Sequence, residues 1–130
     1  MILDTSFLID FLKRHPEAQA RARSLERDGE DLRIPTPALY ELWRGVHLTL
    51  RPEEEADRVR VLLGRFPTVS FDAAAAERAG DIDALLIRQG SMLDPEDTMI
   101  AGIALALGET LLTRNLRHFA RVSGLRVQDY

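Results

Sequence analysis

Short apolar runs alternate with longer amphipathic stretches along the chain. Met1–Asp4 reads as a short buried strand, and Leu32–Ile34, Thr68–Phe71, Thr110–Thr113 and Leu125–Gln128 read as four further strands. Between these runs the apolar spacing becomes helical. Phe7, Leu8, Phe11 and Leu12 place a helix over Thr5–Lys13. Pro16 opens a polar, arginine-rich helix that Gly29 ends. Thr36 followed by Pro37 gives a capping residue and a first-turn proline for a helix to about Leu50. Pro52 with Glu53, Glu54 and Glu55 opens another, its acids set against the positive end of the helix dipole. Asp72 caps a helix that runs to about Gln89, before Gly90. Asp94 and Pro95 start a further helix whose segment Ile100–Leu107 is nearly all small and apolar, and Gly108 stops it. So little polarity predicts burial on most sides. Strands separated by helices require crossover connections. The expected fold is therefore α/β, a three-layer α/β/α arrangement with a mostly parallel sheet of four to five short strands covered by helices. In such sheets a site lies at the carboxyl ends of the strands.

Composition narrows the function classes. The 130 residues suit one domain spanning 1–130, with no repeat, linker or low-complexity tract. There is no cysteine, which excludes disulfides, thiol catalysis, zinc ribbons and iron–sulfur sites. No apolar run approaches the roughly 20 residues of a spanning helix, so no membrane association is expected. The acids near the start argue against a secretory leader, and a cytoplasmic protein is expected. The net charge of −4 and pI near 5.4 argue against holding nucleic acid by bulk positive charge. They leave room for a nucleic-acid enzyme whose acids gather at a metal. Lys13 is the only lysine among 17 basic residues. The rest are arginine, whose planar fork suits phosphate and carboxylate.

Four acids stand at telling places. Asp4 directly follows the first strand, and Glu41 lies one turn inside the Pro37 helix on a small, apolar stripe. Asp94 and Asp97 flank the start of the buried Ile100–Leu107 helix. Carboxylates packed together raise one another's pKa unless a cation neutralises them, and Mg²⁺ or Mn²⁺ prefers such oxygen ligands. Each acid alone also has a plain structural role open to it. Asp4 could cap the Thr5 helix, Glu41 could pair with Arg44, and Asp94 reads as an N-cap whose capping box Asp97 would complete. Phosphate-binding glycine loops and a nucleophile elbow are absent. His15, His47 and His118 lack metal-pair spacing.

Taken together, Leu3-Asp4-Thr5-Ser6, Glu41, Asp97-Thr98-Met99-Ile100-Ala101 and Leu112-Thr113-Arg114-Asn115 before Phe119 resemble the PIN domain, and most closely its VapC-type toxins. The resemblance spans nearly the whole chain. It implies a metal-dependent endoribonuclease, the toxin of a toxin–antitoxin pair, using Mg²⁺ or Mn²⁺. Asp4, Glu41 and Asp97 would be its catalytic and metal-holding residues, with Asp94 a further acid at the edge. Thr5, Ser6, Thr113, Arg114 and Asn115 would line the substrate pocket. Asn115 and His118 stand where many relatives carry an acid, which bears on whether a second metal binds. The implied partners are a cognate antitoxin, an RNA substrate and a second copy in a homodimer. Arg114, Arg117, Arg121 and Arg126 are candidate phosphate contacts. Leu39, Leu42, Trp43, Val46, Leu50, Val59, Leu62, Leu63 and Phe66 offer more apolar surface than one small domain readily buries, with Trp43 a candidate interface anchor. Two other readings remain: a non-catalytic RNA- or protein-binding module on the same scaffold, and a metal-dependent phosphohydrolase with another substrate.

Overall fold

The computed structural model describes all 130 residues. In chain order the elements are β1 (Ile2–Leu3), α1 (Thr5–Leu12), α2 (Pro16–Arg27), β2 (Ile34–Pro35), α3 (Thr36–Leu48) and α4 (Pro52–Arg65). Then follow β3 (Thr68–Val69), α5 (Ala73–Arg88), α6 (Pro95–Leu107), β4 (Leu111–Leu112), α7 (Leu116–Phe119) and β5 (Val127–Gln128). The strands are only two residues long, shorter than the apolar runs that announced them. All of their pairings are parallel: β1 with β4, β4 with β5, and β2 with β3. A parallel bridge from Ile2 to Arg33 joins the two groups, so the strand order across the layer is β3-β2-β1-β4-β5. β1 is central, and the chain winds outward from it in both directions.

The central strands are dry because helices cover them. Ile2, Leu3, Ile34, Leu111 and Leu112 are fully buried, and Phe7, Leu8, Ile100 and Phe119 pack into the same core. Burying each of these large side chains is worth about 1.5–3 kcal/mol before entropy is counted. The α5–α6 contact is the most extensive between helices. Small residues make it so: Ala75 and Ala79 of α5 lie against Gly102 of α6, where an added Cβ would sit 2.6 Å from the Ala75 carbonyl oxygen. Ile100–Ala104 are buried as expected, but Ala106 and Leu107 at the end of α6 are exposed.

Several local expectations need correcting. Thr36 begins α3 rather than capping it; Pro35 holds the cap position, and the Thr36 hydroxyl accepts from the Phe71 N–H at 3.1 Å. Asp72 does cap α5, accepting from the Ala75 N–H at 2.9 Å. The short helix α7 has no counterpart in the apolar pattern, since four residues are too few to show a period. Trp43 is half-buried beneath Arg60, and Leu42, Val46, Val59, Leu62 and Phe66 are buried. Of the apolar set on α3 and α4, Leu50 is the one left fully exposed. No helix is long and apolar enough to cross a membrane.

Candidate functional site

Asp4 occupies the carboxyl end of the central strand β1, and Thr113 follows the neighbouring β4. This is where the winding reverses, the expected place for a site in an open parallel sheet. Asp4 is 2% exposed. It stands at the N-cap position of α1, yet its carboxylate accepts no hydrogen bond from the helix N–H groups. Its Oδ2 accepts instead from the Ser6 hydroxyl at 2.6 Å and the Thr113 hydroxyl at 2.7 Å. Its Oδ1 is buried and has no partner at all. A buried carboxylate oxygen left unpaired costs free energy unless something donates to it or carries positive charge beside it. Capping therefore does not explain Asp4.

Glu41 comes from the second turn of α3 and accepts from the Thr5 hydroxyl at 2.7 Å. Burial raises its pKa above the ordinary value, and the Glu96 and Asp4 charges add to the rise; the Thr5 hydrogen bond and Arg44 oppose it. Arg44 lies 3.7 Å from Glu41 and 3.6 Å from Glu96, so the surface ion pair expected for Glu41 exists but is shared. Glu96 is the site neighbour that the sequence leaves unmarked. Glu96 was hidden by its place in a first helical turn, where an acid needs no further explanation.

Asp97 projects from the first turn of α6. Burial pushes its pKa up to about 6, and the charges of Asp4, Glu41 and Asp94 push the same way while His118 opposes them. His118 Nδ1 lies 3.1 Å from the Asp97 carboxylate. Asp94 holds the N-cap position of α6 without a side-chain capping bond, and it is exposed at the edge. The structure thus brings Asp4, Glu41 and Asp97 within electrostatic reach of one another, with Asp94 outermost. These acids do not close into a ready-made cage: no three histidine, aspartate or glutamate side chains stand at cation-binding spacing.

The raised Asp97 pKa has a consequence for stability. The native protein holds a proton on Asp97 that the unfolded chain has already released above about pH 4. The contribution of this group is therefore full at low pH and is lost as pH rises toward about 6. Because the side chain is partly solvated, we expect a loss of about 1–2 kcal/mol rather than the full shift. Thermal melts between pH 4 and 6.5 read this directly. Asp97→Asn should fall less over that range than wild type, and parallel curves would remove Asp97 as the cause.

The other pocket candidates divide. Thr5, Ser6 and Thr113 are buried and bonded to the acids, as above. Asn115 caps the short α7 through its backbone position, donates its N–H to the Thr113 hydroxyl at 2.9 Å and is exposed. Arg114 reaches Asp10, one of its nitrogens lying 2.7 and 2.8 Å from the two carboxylate oxygens. Arg121 is tied to the Met92 carbonyl. Arg126 precedes β5 and binds the Gly108 carbonyl, at the amino ends of the strands and away from the acids. The four arginines close in sequence are therefore not one patch.

A PIN domain family profile matches residues 1–125, and the chain belongs to the PIN domain family. Within that family it is similar to the Shigella flexneri protein named "tRNA(fMet)-specific endonuclease VapC". The two are 37% identical over 129 residues, covering 99% of this chain and 96% of that one. Among solved structures, the DNA-bound VapBC of Salmonella typhimurium superposes with a TM-score of 0.89 at 35% identity, over 98% of this chain and 96% of that chain. VapBC2 of Rickettsia felis, bound to a DNA fragment from its promoter, superposes at 0.91. At 24% identity, over 99% and 97% of the two chains, that likeness concerns the fold. The three-layer α/β/α architecture is thus that of the PIN domain.

Proposed function

We propose that this chain is the endoribonuclease toxin of a toxin–antitoxin pair, hydrolysing RNA phosphodiester bonds, with transfer RNA as the first substrate to try. One observation carries the reading. Asp4 is a buried carboxylate with an orphaned oxygen, set at the winding reversal of the sheet and facing the charges of Glu41 and Asp97. The full-length likeness to a curated transfer-RNA endonuclease supports the substrate class. A cytosolic setting follows from that substrate.

Asp4, Glu41 and Asp97 would hold a divalent cation, Mg²⁺ or Mn²⁺. The donor set fits: all are hard oxygens, one is unpaired, and two have pKa values that positive charge would lower. A closed cage is not required, because Mg²⁺ usually keeps several waters and takes only one or two carboxylates directly. When bound, such an ion supplies positive charge to the phosphate and lowers the pKa of water. The chain's own part is to orient. The Ser6 and Thr113 hydroxyls fix Asp4 through Oδ2 and leave Oδ1 free. Thr5 holds Glu41, and His118 holds one oxygen of Asp97. Burial of these carboxylates strengthens every charge interaction made there.

The partner reading has its own support. An open groove is floored by Phe11, Leu12 and Val61 and rimmed by Lys13, Arg14 and Arg65. Val61 is well exposed there. An acidic, amphipathic segment of a cognate antitoxin suits that chemistry, and a solved structure of similar fold, 26% identical to this chain, is a toxin–antitoxin complex from Klebsiella pneumoniae. The homodimer belongs to the same proposal; Tyr40 and Leu48 of α3 and Leu85 and Ile87 of α5 are exposed apolar side chains such a contact would cover.

The test is cleavage of a transfer-RNA panel by antitoxin-free protein. Cutting should require Mg²⁺ or Mn²⁺, stop with EDTA and stop when cognate antitoxin is added. Intact RNA in every lane, from folded protein that binds no metal, would overturn the enzyme reading in favour of a binding module. Cleavage of DNA or small phosphate esters alone would favour the other phosphohydrolase reading.

A further inference from the structure

Asp10 is a buried acid, 4% exposed, that none of the roles above uses. It lies on α1 four residues beyond Ser6, one turn further along the same face and about 6 Å along the helix axis. A carboxylate this deep requires compensation. Arg114 Nη1 contacts both of its oxygens, the Tyr130 hydroxyl donates to Oδ2 at 2.6 Å, and His15 Nδ1 lies 3.2 Å from Oδ1. The Tyr130 ring packs edge-on against Phe7, with centroids 5.0 Å apart. Burial and the Asp10 carboxylate raise the Tyr130 pKa far above its ordinary value, against the weaker effects of Arg114 and Ser6, so the phenol remains a donor.

Arg114 is consequently held at both ends. Its backbone N–H faces the Ser6 hydroxyl at 3.4 Å, and it follows Thr113, whose hydroxyl binds Asp4. Its guanidinium is held through Nη1 alone. Nε and Nη2 make no bond to the protein, and the side chain is 51% exposed. A positive group next to an acidic site, with planar donors free and its rotamer already fixed, has the properties of a phosphate ligand.

We propose that Asp10 and Tyr130 fix Arg114 as a phosphate anchor, so that its free guanidinium edge grips an RNA phosphate beside the one being cut. The proposal rests on the RNA-cleavage reading and names a substrate contact within it. An arginine already pinned loses less conformational freedom on binding than a mobile one. It also supplies positive charge where Asp4, Glu41, Asp94 and Asp97 would otherwise repel the backbone. Asp10 is itself buried, so an approaching phosphate meets the guanidinium and not the carboxylate. Tyr130 and Asp10 act through Arg114 and are positioning residues.

The experiment measures binding of a transfer-RNA transcript to the full chain in EDTA across a salt series. It is paired with kcat and KM for cleavage in Mg²⁺ and with melting curves. Arg114→Gln should lower the slope of log affinity against log salt by about one unit and raise KM about tenfold, more than it lowers kcat. Arg114→Lys should restore the slope but not the full KM, because an ammonium cannot hold Asp10 and a phosphate with one planar fork. Tyr130→Phe keeps the ring and the arginine charge, so the slope should stay and KM should rise severalfold. An Arg114→Gln protein with unchanged slope and KM overturns the anchor. Should that variant melt too early to assay, Arg114→Lys with wild-type KM overturns it equally. A Tyr130→Phe protein kinetically identical to wild type overturns the positioning role. Wild type that neither binds nor cuts RNA overturns the parent reading, whereas cleavage with an unaffected Arg114→Gln overturns this proposal alone.

Discussion

Asp4→Asn is expected to lower RNA cleavage by more than about a hundredfold, beyond the loss usual for an outer-shell partner of a metal ligand, while the protein stays folded. The substitution keeps the shape of the side chain and one oxygen to accept from Ser6 and Thr113, so the local hydrogen bonds at Oδ2 survive. It removes the charge, and it places an amide where the unpaired Oδ1 now stands. Asp4 is also the largest charge acting on Asp97 and one of those acting on Glu41. Removing it should relax both carboxyl groups toward ordinary pKa values, so the stability lost between pH 4 and 6 should shrink along with the activity. The two readouts separate the causes. A dead but folded variant with the reduced pH response places Asp4 in the acid cluster and in the chemistry. A variant that cuts RNA at the wild-type rate removes Asp4 from the site.

Gly102→Val is the second large effect, and it acts on stability. A Cβ at this position would stand 2.6 Å from the Ala75 carbonyl oxygen, 2.9 Å from the Ala79 Cβ and 3.0 Å from the Ala79 nitrogen. Two of those atoms are backbone and cannot rotate away, so α5 and α6 must separate. Overpacking of this kind costs typically 1–3 kcal/mol, and a branched side chain against helix backbone should reach about 3 kcal/mol. Gly64 and Gly80 are also helical, but nothing lies within 4 Å of a Cβ there. Gly80→Ala should be neutral or stabilising by up to about 1 kcal/mol, through helix propensity alone. Urea denaturation of the pair decides the matter: equal midpoints would mean that the close approach at Gly102 is not tight. Because α6 carries Asp94 and Asp97 at its start, Gly102→Val should also weaken cleavage beyond its effect on the folded fraction.

The strong periodicities of this chain carried most of its fold. Every strand and six of the seven helices follow from apolar spacing, prolines and glycines, because those signals report backbone geometry directly. The strands came out shorter because two paired residues suffice once helices cover both faces. Asp4, Glu41 and Asp97 drew notice only as a set, since each alone had a structural role open to it, and the fold brings their charges within reach of one another. The resemblance then placed them in one site, as the fold does. Asp10 and Tyr130 were not legible. They lie 120 residues apart, and nothing local marks either one. The i, i+4 relation of Ser6 and Asp10 was the only sequence signal that could have drawn Asp10 toward the site. Arg126 misled for the converse reason: nearness in sequence put it beside Arg114, but the strand direction puts it at the opposite end of the sheet.

The central strand β1 is made first and completed last. Asp4 meets Thr113 across 109 residues of chain, and Leu3 pairs with Leu112 in a strand that follows six helices. Until those late residues have emerged, the Asp4 carboxylate has neither its Thr113 donor nor β4 beside its own strand. A nascent chain on the ribosome therefore lacks the assembled acid cluster until its last strands are made. Whatever chemistry the cluster performs becomes available only when the whole chain has been synthesised, so the fold itself delays the site to the end of translation.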